Sequence, residues 1–402
     1  LPDTKSHDAQ RSVPIHSLGI SQIISYGLMF YVFAQLKTPL AEKLGVAESD
    51  ILLAISGALL WQAILAPIVG GWFDRFGALY VMSRGLMIGA IGLGVLAFAD
   101  HLAMVWVSMA FIGTGYAMAT YEAAFTVAVQ INERQSRRNI SFITFYGGVA
   151  SSVTWLTVAP LYLNTNLTTT ILVAAIILLL MGVRLVYLNR NYAPPLAQGQ
   201  GGKPAAFHWS ILNRTERIAL LVLAASSSLE YLVFTSTTLL WINWFHLQFN
   251  DLGLAVMLAS IYGPFQVVGR VLEMRYGHRF DARITGALAY CCLPLALYLA
   301  QIESVSVAMV SMAIFGIGHG ILTVTFGFVT NLFFRAEVYG RAKGWIVFPR
   351  GLGTALGPSI GGLLYLWGAG SFFALMISLL VISGLSFLSL LALTPGNRHA
   401  LD

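Results

Sequence analysis

Charge is scarce in this sequence. Only 10% of its 402 residues are Asp, Glu, Lys or Arg, against about a quarter in ordinary soluble domains. Hydrophobic residues make up 57%, and the mean hydropathy is +0.76. Such a chain cannot fold as a water-soluble globule, which excludes an aqueous enzyme. Cysteine is nearly absent: Cys291 and Cys292 are the only two, adjacent inside an apolar run. Neighbouring residues of a helix point apart, so no disulfide or metal framework is available, and both are expected to be small core residues. The histidines show no metal-ligand spacing, and no metal or cofactor is expected. No Gly-Lys-Ser/Thr sequence occurs, which excludes a Walker loop. "GIGHG" and "GLGTALG" lie inside apolar runs and follow no strand, so they read as helix-packing glycines.

Long apolar runs are what the sequence does have. They lie near residues 16–37, 50–73, 79–99, 102–130, 139–162, 167–189, 217–245, 252–274, 283–301, 304–333, 341–367 and 370–393. Each is long enough for the roughly 20 residues that cross a ~30 Å hydrocarbon layer as a helix. None alternates as a barrel strand would, and backbone in hydrocarbon must satisfy its own hydrogen bonds. The fold class is therefore all-α membrane protein, with twelve transmembrane helices in two six-helix halves. The division is an N-terminal tail at 1–15, a first bundle at 16–189, a linker at 190–216, a second bundle at 217–393 and a C-terminal tail at 394–402. The linker is rich in Pro, Gly and polar residues.

The net charge of +6 forms no single basic face, so no nucleic acid is expected. With both termini on one side, nineteen Lys and Arg residues fall on that side and only Lys37 and Lys43 on the other, with Arg270 and Arg350 inside spans. Positive residues collect on the cytoplasmic side, so both termini are expected there, and the bacterial inner (cell) membrane is the expected location. Trp241, Trp244 and Trp367 stand near span ends, where interfacial aromatic belts are expected.

The two halves echo each other. Span 2 ends "PIVGGWFDRFG" and span 8 ends "FQVVGRVLEMRYGHRF". Gly70 and Asp74 keep the spacing of Gly269 and Glu273, and an Arg and then Gly77 or Gly277 follow each acid. Internal symmetry of this kind marks a repeat-built transporter. Gly70, Asp74, Arg75 and Gly77, in the turn after span 2 of twelve, resemble the signature loop of the major facilitator superfamily. Gly70 would permit close helix approach, and Gly77 would let the chain reverse. The resemblance implies that Asp74, and Glu273 as its echo, help to hold the cytoplasmic side closed. A solvated turn is the simpler reading of the same residues. Ala78 and Leu79 stand where the family usually continues with basic residues.

The resemblance also implies that spans 1, 4, 7 and 10 line a central cavity. Gln22 and Tyr26 stand in span 1, Glu122 in span 4, Glu230 in span 7 and His319 in span 10. A charge at mid-membrane costs about 2.5–3.5 kcal/mol on insertion scales, so each is a functional candidate. Glu230 and Glu122 are candidates for carrying a proton or for bracing two helices. His319 could carry a proton, bind a ligand or simply pack. Arg350, just after Pro349, could grip a carboxylate bidentately or pair with a glutamate. Arg270 could contact substrate or snorkel to the interface.

"SYGLMFYVF", "LAEKLGVAESDI" and "GALLWQAILAPIVGGWFDRFG" resemble the branch of monocarboxylate and oxalate/formate transporters. That branch carries an Asp four residues before an Arg in span 8. The matching positions here are Gln266 and Arg270, so the acid is missing. The expected function is proton-coupled symport of a small organic anion or zwitterion by alternating access. The expected partners are that substrate, protons and the lipid bilayer, with the chain a monomer. Proton-driven efflux of drugs or cationic metabolites is the alternative.

Overall fold

A computed structural model describes residues 15–131, 136–191, 209, 212–334 and 336–394. Both tails and most of the 190–216 linker lie outside the described residues. In the first half, α1 runs Ile15–Leu44, α2 Glu48–Phe76 and α3 Ala78–Ala97. Helix α4 comprises Leu102–Ala119 and Tyr121–Ile131, α5 comprises Ser136–Gly148 and Ala150–Asn164, and α6 is Leu167–Asn191. In the second half, α7 comprises Arg214–Thr238 and Trp241–Phe249. Helix α8 comprises Leu252–Ser260 and Tyr262–Tyr276. Then follow α9, Ala282–Leu299, α10, Val305–Phe333, α11, Ala336–Leu366, and α12, Ala369–Leu388.

Eleven of these are long and apolar enough to cross a membrane by length and composition alone. The twelfth, α11, is 31 residues long but is diluted by Arg350, Pro349, Pro358 and several glycines. It stays in the bundle because α7 repairs its backbone. Proline has no N–H and frees the carbonyl four residues earlier. For Pro358 that carbonyl is Thr354 O, which accepts from Thr235 Oγ1 at 3.1 Å. Ser236 Oγ donates to Gly357 O at 2.7 Å, and Ser228 Oγ donates to Pro349 O at 2.8 Å.

Within the halves, α7 packs along α11, α3 along α4 and α6, and α10 along α8 and α9. The halves meet where α2 packs on α11 and α5 on α8. Ser56 Oγ accepts from Ser359 N at 3.0 Å, and Ser152 Oγ donates to Ser260 O at 2.6 Å. The bundle has one end with the α2–α3 and α8–α9 turns, the basic end, and a far end with the α1–α2 and α7–α8 turns.

At the far end Lys37 is fully buried and its Nζ lies 3.0 Å from Glu48 Oε1. Thr38 Oγ1 donates to Glu48 Oε2 at 2.5 Å, and Asn243 Nδ2, from the other half, reaches the same oxygen at 3.5 Å. Removing one partner of a buried pair strands the other, at a cost of about 3–5 kcal/mol when no water can reach it. Glu48 keeps 29% of its side chain exposed, whereas Lys37 keeps none. Glu48→Gln, which strands the ammonium, is therefore expected to lower thermal stability more than Lys37→Met. A melting series giving the reverse order would refute this account.

Three sequence expectations are corrected here. Trp241 is not an interfacial anchor: it is 2% exposed and stacks on Phe245 with centroids 5.7 Å apart, because Phe245, Phe315 and Phe373 enclose it. Cys291 is exposed, not core, because it lies on the outer face of α9; Cys292 is half-buried. Gly70 makes no close helix approach in this structure, since a Cβ there would meet nothing within 4 Å. Its echo Gly269 does, because a Cβ there would lie 2.3 Å from Ile317 O of α10.

Candidate functional site

Broken helices build the centre. Helix α1 carries a π turn at Gly27–Tyr31, with Val32 N bonded to Gly27 O at 2.8 Å. Turns of this kind widen the helix and re-aim side chains. Helix α4 breaks at Thr120, whose backbone is extended. Ala123 N bonds Thr120 O, leaving Ala119 O free of its helical partner. Gln22 Nε2 and Ser25 Oγ donate to that oxygen at 3.2 and 3.3 Å. Gln22 is fully buried and braces this break. Non-helical backbone at membrane depth is tolerated where protein encloses it or it lines a cavity.

The rings next to these breaks converge. Tyr26 packs on Tyr116 and Tyr121 with centroids 5.5 and 4.7 Å apart, and Tyr121 stacks on Phe125 at 5.0 Å. From the other half, Phe234 of α7 stacks on His319 at 4.1 Å and 13°. Tyr231 and Tyr262 approach the same imidazole at 6.0 and 6.1 Å.

His319 Nδ1 lies 2.7 Å from Glu230 Oε1, with both side chains almost wholly buried. Glu230 Oε2 is buried with no hydrogen-bond partner. Gln266 Nε2 donates to Tyr262 Oη at 2.7 Å. The guanidinium of Arg350 lies over the Tyr231 ring, 4.8 Å from its centroid, and pairs with neither Glu230 nor Glu122. Arg270 does not snorkel: it is 3% exposed. Its Nε donates to Thr323 Oγ1 at 3.1 Å, and its Nη1 donates across the halves to Tyr121 Oη at 3.3 Å and to Thr144 O. Among the described residues neither arginine has a carboxylate partner.

Glu122 stands apart from this cluster. It opens the second piece of α4, its side chain is exposed, and it joins no ion pair among the described residues. At the basic end Gly77 has φ +87, the left-handed side that glycine tolerates, and makes the reversal expected of it. Gln130 Oε1 accepts from Ala78 N at 3.0 Å, tying α4 to that turn. Arg75 is exposed beside Phe76, and the side chain of Asp74 lies outside the described residues. Glu273 is buried and accepts from Thr285 Oγ1 of α9 at 3.0 Å, a contact within one half.

Sequence reading missed Tyr116, Tyr121, Tyr231 and Tyr262, because tyrosine inside an apolar helix is ordinary. Their recurrence on α4, α7 and α8 was the available signal. It also missed Glu48 and Asn243, whose pairing depends on how two distant turns meet.

A polar, aromatic-walled centre between two repeat-related six-helix halves defines a membrane transporter and not an enzyme. The sequence profile of the Major Facilitator Superfamily matches residues 18–348 and 242–401, so the chain belongs to that superfamily. Solved structures agree on the fold. A mutant of the nucleoside transporter NupG aligns with a TM-score of 0.74 at 14% identity, covering 94% of this chain and 99% of that one. The inward-facing, occupied bacterial homolog of the human lysosomal transporter Spinster gives 0.71 at 12% identity, covering 96% and 98%. A mutant of the peptide transporter POT gives 0.72 at 16% identity, covering 94% of each chain. No curated protein matches the sequence.

Proposed function

We propose that the chain is a secondary active transporter that moves a small organic anion or zwitterion, of monocarboxylate type, together with protons. The halves would rock about the midplane centre, with the basic end and both termini in the bacterial cytoplasm. One observation carries this reading. Arg350 and Arg270 stand near the centre without a carboxylate partner among the described residues, while the buried acid beside them, Glu230, is occupied by His319. Arg270 is buried and Arg350 half-buried; a buried charge is ordinarily paired, and a guanidinium grips a carboxylate through two parallel hydrogen bonds. A substrate carboxylate is the partner these cations lack. Tyr26, Tyr231 and Gln266 would supply the walls, Glu230 the proton site, and Glu122 a second carboxylate nearer the basic end.

The aromatic walls favour a second reading. Tyrosine faces attract cations, and proton-driven efflux of a cationic metabolite or drug would place the two glutamates on the substrate.

Proteoliposomes carrying an imposed pH gradient test both. Labelled lactate, formate or oxalate is expected to accumulate above its equilibrium level, and a protonophore to collapse that accumulation. Failure of all three acids, with a lipophilic cation driven in their place, would reject the anion reading for the second.

A further inference from the structure

The two repeats differ just past their matched acids. Gly77 follows Asp74 by three residues and α3 begins at once, whereas Gly277 follows Glu273 by four and a 3-10 turn, Gly277–Arg279, precedes α9. Four residues make about one helical turn, so Gly277 lies against the Glu273 side chain. A Cβ there would stand 2.7 Å from the carboxylate carbon, and glycine leaves it room. The buried carboxylate turns to α9, where it accepts from Thr285 Oγ1 at 3.0 Å.

Beside this contact a groove of about 200 Å³ runs between α8 and α9, with Ile321 of α10 in its lining. That exceeds the roughly 150 Å³ in which an apolar cavity holds a benzene ring, and it is room for a stretch of acyl chain. Leu272 and Tyr276 line it from α8, Phe280 from the connection, and Ile284 and Leu288 from α9. All five are exposed, and α9 packs on α10 and α12, away from the contacts between the halves. The groove therefore opens toward lipid and not toward the centre.

Arg275 and Arg279 stand at its rim, at the basic end. Their guanidinium carbons lie 5.9 and 5.8 Å from the centroid of the Tyr276 ring, and both side chains are exposed. The acids beside them in sequence are taken, Glu273 by Thr285 and Asp281 by Arg283 at 2.5 Å. Neither arginine has an ion-pair partner among the described residues. An apolar face against lipid is ordinary, but a groove with two unmatched cations at its headgroup end suits one kind of lipid.

We propose that this groove binds an anionic phospholipid from the leaflet at the basic end. One acyl chain lies along Tyr276, Ile284 and Leu288, and the phosphate takes Arg275 and Arg279. An anionic headgroup answers the two cations, whereas a zwitterionic one brings its own ammonium beside two guanidinium groups. The site lies outside the central cluster and holds for any substrate.

The test is native mass spectrometry of the full-length transporter released from detergent, with phosphatidylglycerol, phosphatidylcholine and phosphatidylethanolamine of identical acyl chains added in turn. The first bound phosphatidylglycerol is expected to be held roughly 10- to 30-fold more tightly than phosphatidylcholine, the effect of two arginines at a charged lipid surface. Combining Arg275→Gln with Arg279→Gln is expected to abolish that preference and leave phosphatidylcholine binding as it was. Both side chains are exposed, so the fold tolerates their loss. Leu288→Trp, which fills the groove from its lipid side, is expected to weaken both lipids alike. Arg75→Gln, at the matching cation of the first repeat, is expected to change neither. A preference that persists without Arg275 and Arg279, or that falls equally in Arg75→Gln, overturns the site. Binding unmoved in Leu288→Trp overturns the place of the chain, and tighter binding of phosphatidylethanolamine overturns the anionic headgroup.

Discussion

Glu230→Gln is expected to reduce gradient-driven accumulation to background, a loss on the order of 100-fold, while leaving slow carboxylate exchange detectable. A factor of that size corresponds to roughly 2.7 kcal/mol. Glutamine has the shape and hydrogen-bonding capacity of a protonated glutamate but cannot release its proton. His319 can answer by changing tautomer, since either ring nitrogen of a neutral imidazole can accept. The substitution therefore holds the 2.7 Å contact and removes only the charge change. Parallel assays of driven uptake and of counterflow exchange separate coupling from folding. Glu122→Gln is the matched comparison, because Glu122 is exposed and has no ion-pair partner among the described residues. Driven uptake that survives both substitutions would remove the proton-carrier assignment altogether, and loss confined to Glu122→Gln would move it to α4.

The fold was largely legible before any coordinates. Apolar length determines crossing, and it does not depend on tertiary detail. Helix α11 shows where that logic thins, since its glycines, prolines and Arg350 dilute the apolar signal. Its place depends on hydroxyls from α7 meeting backbone carbonyls of α11, one of them freed by Pro358, a relation between residues more than a hundred positions apart. The site was legible as residue types and opaque as pairs. Glu230, His319, Arg270 and Arg350 could each be singled out, because charge in hydrocarbon is costly. That His319 would take Glu230, leaving both arginines without an acid, follows from helix rotation, which periodicity in an all-apolar helix does not report. Lys37 illustrates the same limit. It stands close to the far end in sequence, yet it is fully buried and paired with Glu48.

Gly353→Ala is expected to destabilise the bundle by about 3 kcal/mol, enough to deplete the folded transporter from the membrane. A Cβ at Gly353 would lie 2.1 Å from Ser228 O and 2.9 Å from Ser228 C, and neither backbone atom can swing aside. Without a hydrophobic drive between lipid-solvated helices, α7 and α11 hold together by close packing and by hydrogen bonds such a contact permits. Pushing them apart would stretch Ser228 Oγ–Pro349 O, Thr235 Oγ1–Thr354 O and Ser236 Oγ–Gly357 O together. It would also shift Arg350, three residues earlier in α11, off the Tyr231 ring. Gly70→Ala supplies the control, because the same methyl group there meets open space. Its folded yield should match the parent within experimental scatter. Size-exclusion profiles and thermal melts of the two variants decide the matter, since equal behaviour would mean that α7 and α11 are not held by backbone approach and that the Arg350 position rests on something else.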